Sequence, residues 1–432
     1  MAKTYDIYKD SGIAWIGNIP SEWKTCRIKD TSLLYTGNSI KDEEKDSFQD
    51  MNEARPYIAT KDIDATYMSA NYNNGLYIKH TDCNFRIAPP SSTLMCIEGG
   101  SAGRKKAFID QEVSFVNKLC CFAPYEGVYG KYIYYFLCSP NFEDIFNSKI
   151  TGLIGGVNIP TLKNIECLLP SISEQKAIAT YLDEKCGEID SLISLQEEMI
   201  SELQAYKKSV ITEAVTKGLD PNVPMKDSGV EWIGMIPEIW KLARIGNFFR
   251  LRTERNTKPM EEVQLLSLYT GIGVFPHGEQ EERGNKAVTV DGYKIVHKND
   301  IIVNIILAWM GAIGVSNYDG VTSPAYDIYI PNLARVVPHY FHYVFRTKGF
   351  AGECYKYGRG IMMMRWRTYS TEFKQISIPL PPLSEQQAIA SYLDEKTSQI
   401  DSLIAIKQEK ITELKDYKKS IIYEYVTGKK KV

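Results

Sequence analysis

Two stretches of the chain carry apolar residues at alternating spacings of three and four. In the first, Ile189, Leu192, Met199, Leu203, Tyr206 and Val210 line up with Gln196 between them, the pattern of a coiled-coil seam. In the second, Ile400, Leu403, Leu414, Tyr417 and Ile421 stand at the equivalent places, with Lys407 and Lys410 where the first has Gln196 and Met199. Ile193, Ile200, Ile404 and Ile411 flank these stripes and widen them. Both stretches follow proline-rich stops, and Ser173 and Ser384 with an acid behind them predict helix N-caps. Elsewhere the period changes. Short β-rich runs at residues 55–60, 93–97 and 298–303 are separated by Gly, Asn and Asp turns, with helical patches near 131–137 and 338–345. These regions predict compact α+β units.

The two helical stretches are copies of one another. Residues 173–216 and 384–427 align at an offset of 211 with 28 of 44 positions identical, which chance does not produce. A second repeat joins Ser11-Gly12-Ile13-Ala14-Trp15-Ile16-Gly17-Asn18-Ile19-Pro20 to Ser228-Gly229-Val230-Glu231-Trp232-Ile233-Gly234-Met235-Ile236-Pro237, and Trp23 returns as Trp240. The material between the repeats differs. The organisation expected is therefore a variable domain over 1–170, a helical arm over 171–218, a second variable domain over 219–382 and a second arm over 383–432. The fold class is α+β, two pseudo-symmetric domains separated by two long helices that pair as an antiparallel coiled coil. From Ile189 to Thr216 such a helix rises about 42 Å, comparable with the roughly 34 Å of one duplex turn.

Charge and composition then limit what the domains do. At 432 residues, 44% hydrophobic and 24% charged, the chain is a folded multidomain protein with no membrane anchor expected. Nine cysteines without a C-x-x-C pair suit a reducing cytoplasm. The net charge of -2 excludes a wholesale polycation, so a nucleic-acid surface must be local. In the second domain Arg250, Arg252, Arg255 and Lys258 cluster, and Arg359, Arg365 and Arg367 surround the aromatics Tyr357, Trp366 and Tyr369. Arginine suits phosphates and the guanine edge. In the first domain Arg104, Lys105 and Lys106 follow the small-residue loop 99–103, which could bring backbone amides to a phosphate. Lys61 is a further candidate.

Catalytic signals are weak. There is no G-x-x-x-x-G-K-[ST] loop, and Gly271-Ile272-Gly273 lacks the rest of a dinucleotide fingerprint. His339-x-x-His342 with Cys354 reads better as packing than as a metal site. Glu43-Glu44-Lys45 sits in a charged, solvated run, and Met362-Met363-Met364 reads as core or interface filling.

The paired segments resemble the DNA-specificity subunit of type I restriction-modification systems. The resemblance rests on the Ser-Gly-x-x-Trp-Ile-Gly-x-Ile-Pro openings, the Leu-Pro-x-x-Ser-Glu-Gln entries at Leu169 and Leu380, and the long helices after them. It implies a non-catalytic chain with two target-recognition domains, each reading half of a bipartite, asymmetric sequence in double-stranded DNA. It also implies two methyltransferase subunits docked on the helices and restriction subunits joined through them. No cofactor is then expected on this chain, since S-adenosylmethionine, ATP and Mg belong to the partner subunits. The alternatives are a self-contained DNA-modifying enzyme and a coiled-coil scaffold with no DNA role.

Overall fold

A computed structural model describes residues 3–278, 289–361 and 366–432. Contacts gather the chain into two units, Met1–Glu198 with Lys407–Val432, and Met199–Ile406. Each takes one globular part and one segment from each of two long helices, Ile172–Lys217 and Leu383–Val426.

The first globular part is built on a four-stranded antiparallel sheet ordered Ser32–Thr36, Leu119–Pro124, Ser92–Cys96, Lys106–Ile109. The strand Ser92–Cys96 is buried along its whole length, which its run of small and apolar residues permits. A second sheet, ordered Tyr77–Lys79, Ala54–Ile58, Val113–Phe115, Ile87–Ala88, shares the apolar core of Ile58, Leu94, Phe115 and Leu119. The helices Gly130–Leu137 and Pro140–Ser148 follow the first sheet. The second globular part repeats the first sheet's order with Phe249–Leu251, Tyr326–Pro331, Ile301–Asn304 and Ile313–Val315. In place of the second sheet it has two two-stranded antiparallel pairs, the hairpin Leu266–Tyr269 with Gly273–Pro276, and Lys294–Val296 with the sequence-distant Gly320–Thr322. The scaffold is thus copied while the parts hung on it diverge.

The repeated sequence motifs hold each helix to its sheet. The indole of Trp23 donates to the Glu174 carboxylate at 3.0 Å, and that of Trp240 to Glu385 at 2.8 Å. Both indoles are fully buried, so an unpaired N–H there would be costly. Gln175 accepts from the Tyr129 amide and donates to the Pro170 carbonyl; Gln386 does the same with Val337 and Pro381. The Ser-Glu-Gln entry is therefore a clamp rather than a cap. The helices begin two residues earlier than expected, with the Ser171 hydroxyl facing the Glu174 amide and the Pro382 carbonyl accepting from Glu385. At the far ends Gly218 (φ +81°) and Gly428 (φ +70°) close the helices against Trp240 and Trp23. A Cβ at Gly428 would lie 2.4 Å from Pro20. These positions need glycine for both backbone angle and space.

The helix segments run antiparallel within each unit. In the first, Tyr181 packs on Tyr425, Lys418 pairs with Asp190 at 2.7 Å and Lys407 donates to Gln196 at 3.3 Å. In the second, Lys207 pairs with Asp401 at 2.6 Å, the same ion pair seen through the 211-residue repeat. The seam differs in phase from the one expected. Ile189, Val210, Ile400 and Ile421 are buried and Leu203 and Leu414 half-buried. Leu192, Tyr206, Leu403 and Tyr417 are exposed instead, and Ile193, Ile200, Ile404 and Ile411 turn inward. The physical reason lies at residue 410. The expected phase would desolvate Lys410, whereas the observed one buries Ile411 and leaves Lys410 paired with Glu413 in water.

Candidate nucleic-acid interface

In the first unit Lys61 lies on an exposed turn whose preceding carbonyl, that of Thr60, accepts from Lys105 Nζ at 2.9 Å. That bond joins the turn to the loop between the strands Ser92–Cys96 and Lys106–Ile109, so Lys61, Arg104 and Lys105 belong to one place. Arg104 is exposed. Lys106 is 1% exposed and corrects the expectation that it faces DNA: it starts a strand that is covered on both faces. The amide cradle is also corrected. Gly99, Ala102, Gly103, Arg104 and Lys105 all donate their amides within the protein, leaving the loop few donors for a phosphate.

The second unit sorts its basic residues more sharply. Arg250, Arg255 and Lys258 are exposed, and Arg255 is steadied by the Gly292 carbonyl at 2.9 Å. Arg252 is buried, contrary to expectation. Its guanidinium forks onto Asp300, with Nε at 2.9 Å and Nη2 at 3.1 Å from the two carboxylate oxygens, and it also pairs with Glu254. Burial works against the charge on Arg252, but the two carboxylates outweigh it and hold its pKa above the ordinary value. Arg252 in turn holds Glu254 below the usual carboxylate range. Arg359 and Arg367 come together and exchange backbone hydrogen bonds, 2.9 and 3.0 Å in the two directions. The Arg359 side chain lies over Tyr369 and 3.2 Å from Glu372. Arg365 and Met362-Met363-Met364 lie outside the described residues.

His339 and His342 stack on one helix, and Cys354 is buried on the next, Lys348–Tyr357. Among the described residues no group of three His, Cys, Asp or Glu side chains could hold a metal ion, and no helix is long and apolar enough to cross a membrane. Sequence reasoning missed the exposed apolar tip beside the basic loop of the first unit, at Leu153 and Ile154, and the exposed Ile361 of the second. The only signal was two hydrophobic residues framed by Gly152 and Gly155.

Two copies of one α+β scaffold with divergent basic loops, each packed on segments of repeated helices, define a class of paired DNA-recognition modules. The profile described as "Type I restriction modification DNA specificity domain" matches residues 20–205 and 237–416, and the chain belongs to that family as a specificity subunit. A Methanocaldococcus jannaschii protein named for the type I restriction enzyme MjaX as its specificity subunit is 25% identical over 96% of both chains. The MjaVIII specificity subunit of the same organism is 24% identical over 96% of this chain and 94% of the relative. The Escherichia coli EcoBI specificity subunit is 21% identical over 89% and 81%. The fold is shared with a chain from a solved structure on assembly and conformational transition of the type I R-M system, with a TM-score of 0.69 at 15% identity over 94% of this chain and 98% of that one. It is shared also with the HsdS subunit from Thermoanaerobacter tengcongensis, at a TM-score of 0.52 and 16% identity over 95% and 98%.

Proposed function

We propose that this chain supplies sequence specificity without catalysis, each globular part reading one half of an interrupted, asymmetric target in double-stranded DNA. The observation that carries this reading is the contrast between copied and divergent parts. The sheet order is the same twice, while the loops and the smaller sheets differ, as reading two different half-sites requires. The helices keep exposed apolar residues at repeat-related positions instead: Leu192 with Leu403, Leu195 with Ile406, and Tyr206 with Tyr417. Apolar side chains kept in water twice, in one arrangement, suit two copies of one partner, and we assign them to two methyltransferase subunits. Restriction subunits join through those. S-adenosylmethionine, ATP and Mg are placed on the partners, and the complex works in the cytoplasm.

The test is co-expression with the cognate methyltransferase, followed by mapping of methylated adenines across a genome. The expected result is one interrupted motif with unlike halves. Turnover of S-adenosylmethionine by the isolated chain, or a continuous palindromic motif, would overturn the reading.

A further inference from the structure

The most exposed apolar side chains of the first unit sit on a tip too small to be a protein interface. The amides of Thr151 and Gly156 each bond to the other's carbonyl, at 2.9 and 3.1 Å, closing a hairpin whose tip is Gly152-Leu153-Ile154-Gly155. Gly152 and Gly155 take positive φ, which narrows the turn and lifts the two side chains between them clear of the surface. Leu153 is 109% exposed and Ile154 69%. The hairpin is held firmly at its base. Val157 donates to the Ile97 carbonyl at 3.0 Å and Gly99 to the Gly155 carbonyl at 2.7 Å, so the tip is fastened to the loop that carries Arg104 and Lys105. Lys149, exposed, precedes the hairpin, and Glu98 is the acidic neighbour.

The second unit also exposes an apolar side chain near the corresponding place. Arg359 and Arg367 exchange backbone hydrogen bonds, and Ile361, two residues after Arg359, is 91% exposed. Thr368 donates to the Ile305 carbonyl at 2.9 Å, on the loop after Ile301–Asn304 that corresponds in sheet position to the Arg104 loop. In each unit an exposed apolar side chain thus stands near a segment fastened to the loop after the sheet strand Ser92–Cys96 or Ile301–Asn304, and in the first unit that loop is basic. Two aliphatic side chains cover only a small part of the roughly 800 Å² per partner of a stable protein contact. They do match the apolar wedges that minor-groove proteins push between base pairs.

Resting on the DNA-reading function above, we propose that Leu153 and Ile154 form a wedge that enters the base stack of duplex DNA, while Arg104 and Lys149 take phosphates beside it. Insertion unstacks one step and unwinds the duplex locally, so its signature is topological and needs no knowledge of the target sequence.

The probe is a closed-circular plasmid. The full chain, assembled with its co-expressed methyltransferase, is bound to it, relaxed with a type I topoisomerase and stripped of protein, and the linking number is read on a gel. Wild type should leave a linking deficit that grows with the amount bound. L153S/I154S should lose at least half of that deficit per bound complex, with affinity down severalfold and the salt dependence unchanged, because apolar groups release no counterions. L153M should retain the deficit, and R104A should lower the salt slope by about one. A wild-type complex that binds without a deficit, or an L153S/I154S deficit equal to wild type, overturns the wedge. If L153S/I154S sheds the methyltransferase while its deficit per bound complex stays unchanged, the tip is a protein contact and the wedge is again overturned. No plasmid binding at low salt by wild type would instead sink the DNA-reading function itself.

Discussion

Arg250 and Arg252 lie two residues apart and meet opposite fates. Continued strand alternation would put them on one face, but the strand ends at Leu251 and the chain then turns Arg252 inward to Asp300, 48 residues away in sequence. Nothing local announces that partner, which is why composition picked out the whole Arg cluster while only the exposed members can face a ligand. R252A would leave the Asp300 carboxylate buried and unpaired, and we expect it to cost about 3 kcal/mol in urea unfolding. R250A should leave the unfolding midpoint unchanged and instead weaken binding to all DNA sequences, or at one base pair only. His342 gives a pH prediction. Burial, then the neighbouring Arg346 and His339 charges, push its pKa down to about 3. The unfolded chain takes up a proton near pH 6.5 that the folded one refuses. Stability from this group is therefore full above about pH 6.5 and is lost as pH falls towards 3. The difference in unfolding free energy between wild type and H342Q should shrink over that window. A difference independent of pH would show that His342 titrates normally in the fold.

At the level of elements, the repeat made the long helices and their pairing readable in the sequence, because 3.6-residue periodicity survives over many turns. The phase was harder. Leu192 with Ile193, and Met199 with Ile200, offer apolar side chains on both sides of the seam, so two registers fit almost equally. What decides between them is the partner helix, where one register buries Lys410 and the other Ile411. The observed register predicts a split. I193A removes a fully buried side chain and should cost about 2–4 kcal/mol in unfolding experiments. L192A should stay within about 0.5 kcal/mol yet weaken capture of the methyltransferase in co-purification, most clearly when combined with L403A. Equal destabilisation by I193A and L192A would restore the register read from sequence. The hairpin tip of the first unit was illegible for a different reason: two hydrophobic residues between glycines look like a buried turn until the fold leaves Leu153 and Ile154 exposed.

Taken as one molecule, the chain closes on itself. Its first unit contains both ends: Lys3 and Lys431 form a β-bridge, and Lys429 reaches the carbonyls of Ile16 and Asn18. The packing of Gly428 on Trp23 there matches that of Gly218 on Trp240, where the chain runs on without a break. Joining Val432 to Met1 by a short linker and opening the chain at Asn222 should therefore give a permuted protein that directs methylation to the same motif; a changed or lost motif would show that the break is functional. The same closure sets a timetable for synthesis. Residues 1–198 emerge early, but Ile421, Ile422 and Val426, which complete their unit, are made about 200 residues later. At about 5–20 residues per second that delay is about 10–40 s. The second unit has all its parts first, and the first waits on the ribosome with an unfilled groove where the last helical turns belong.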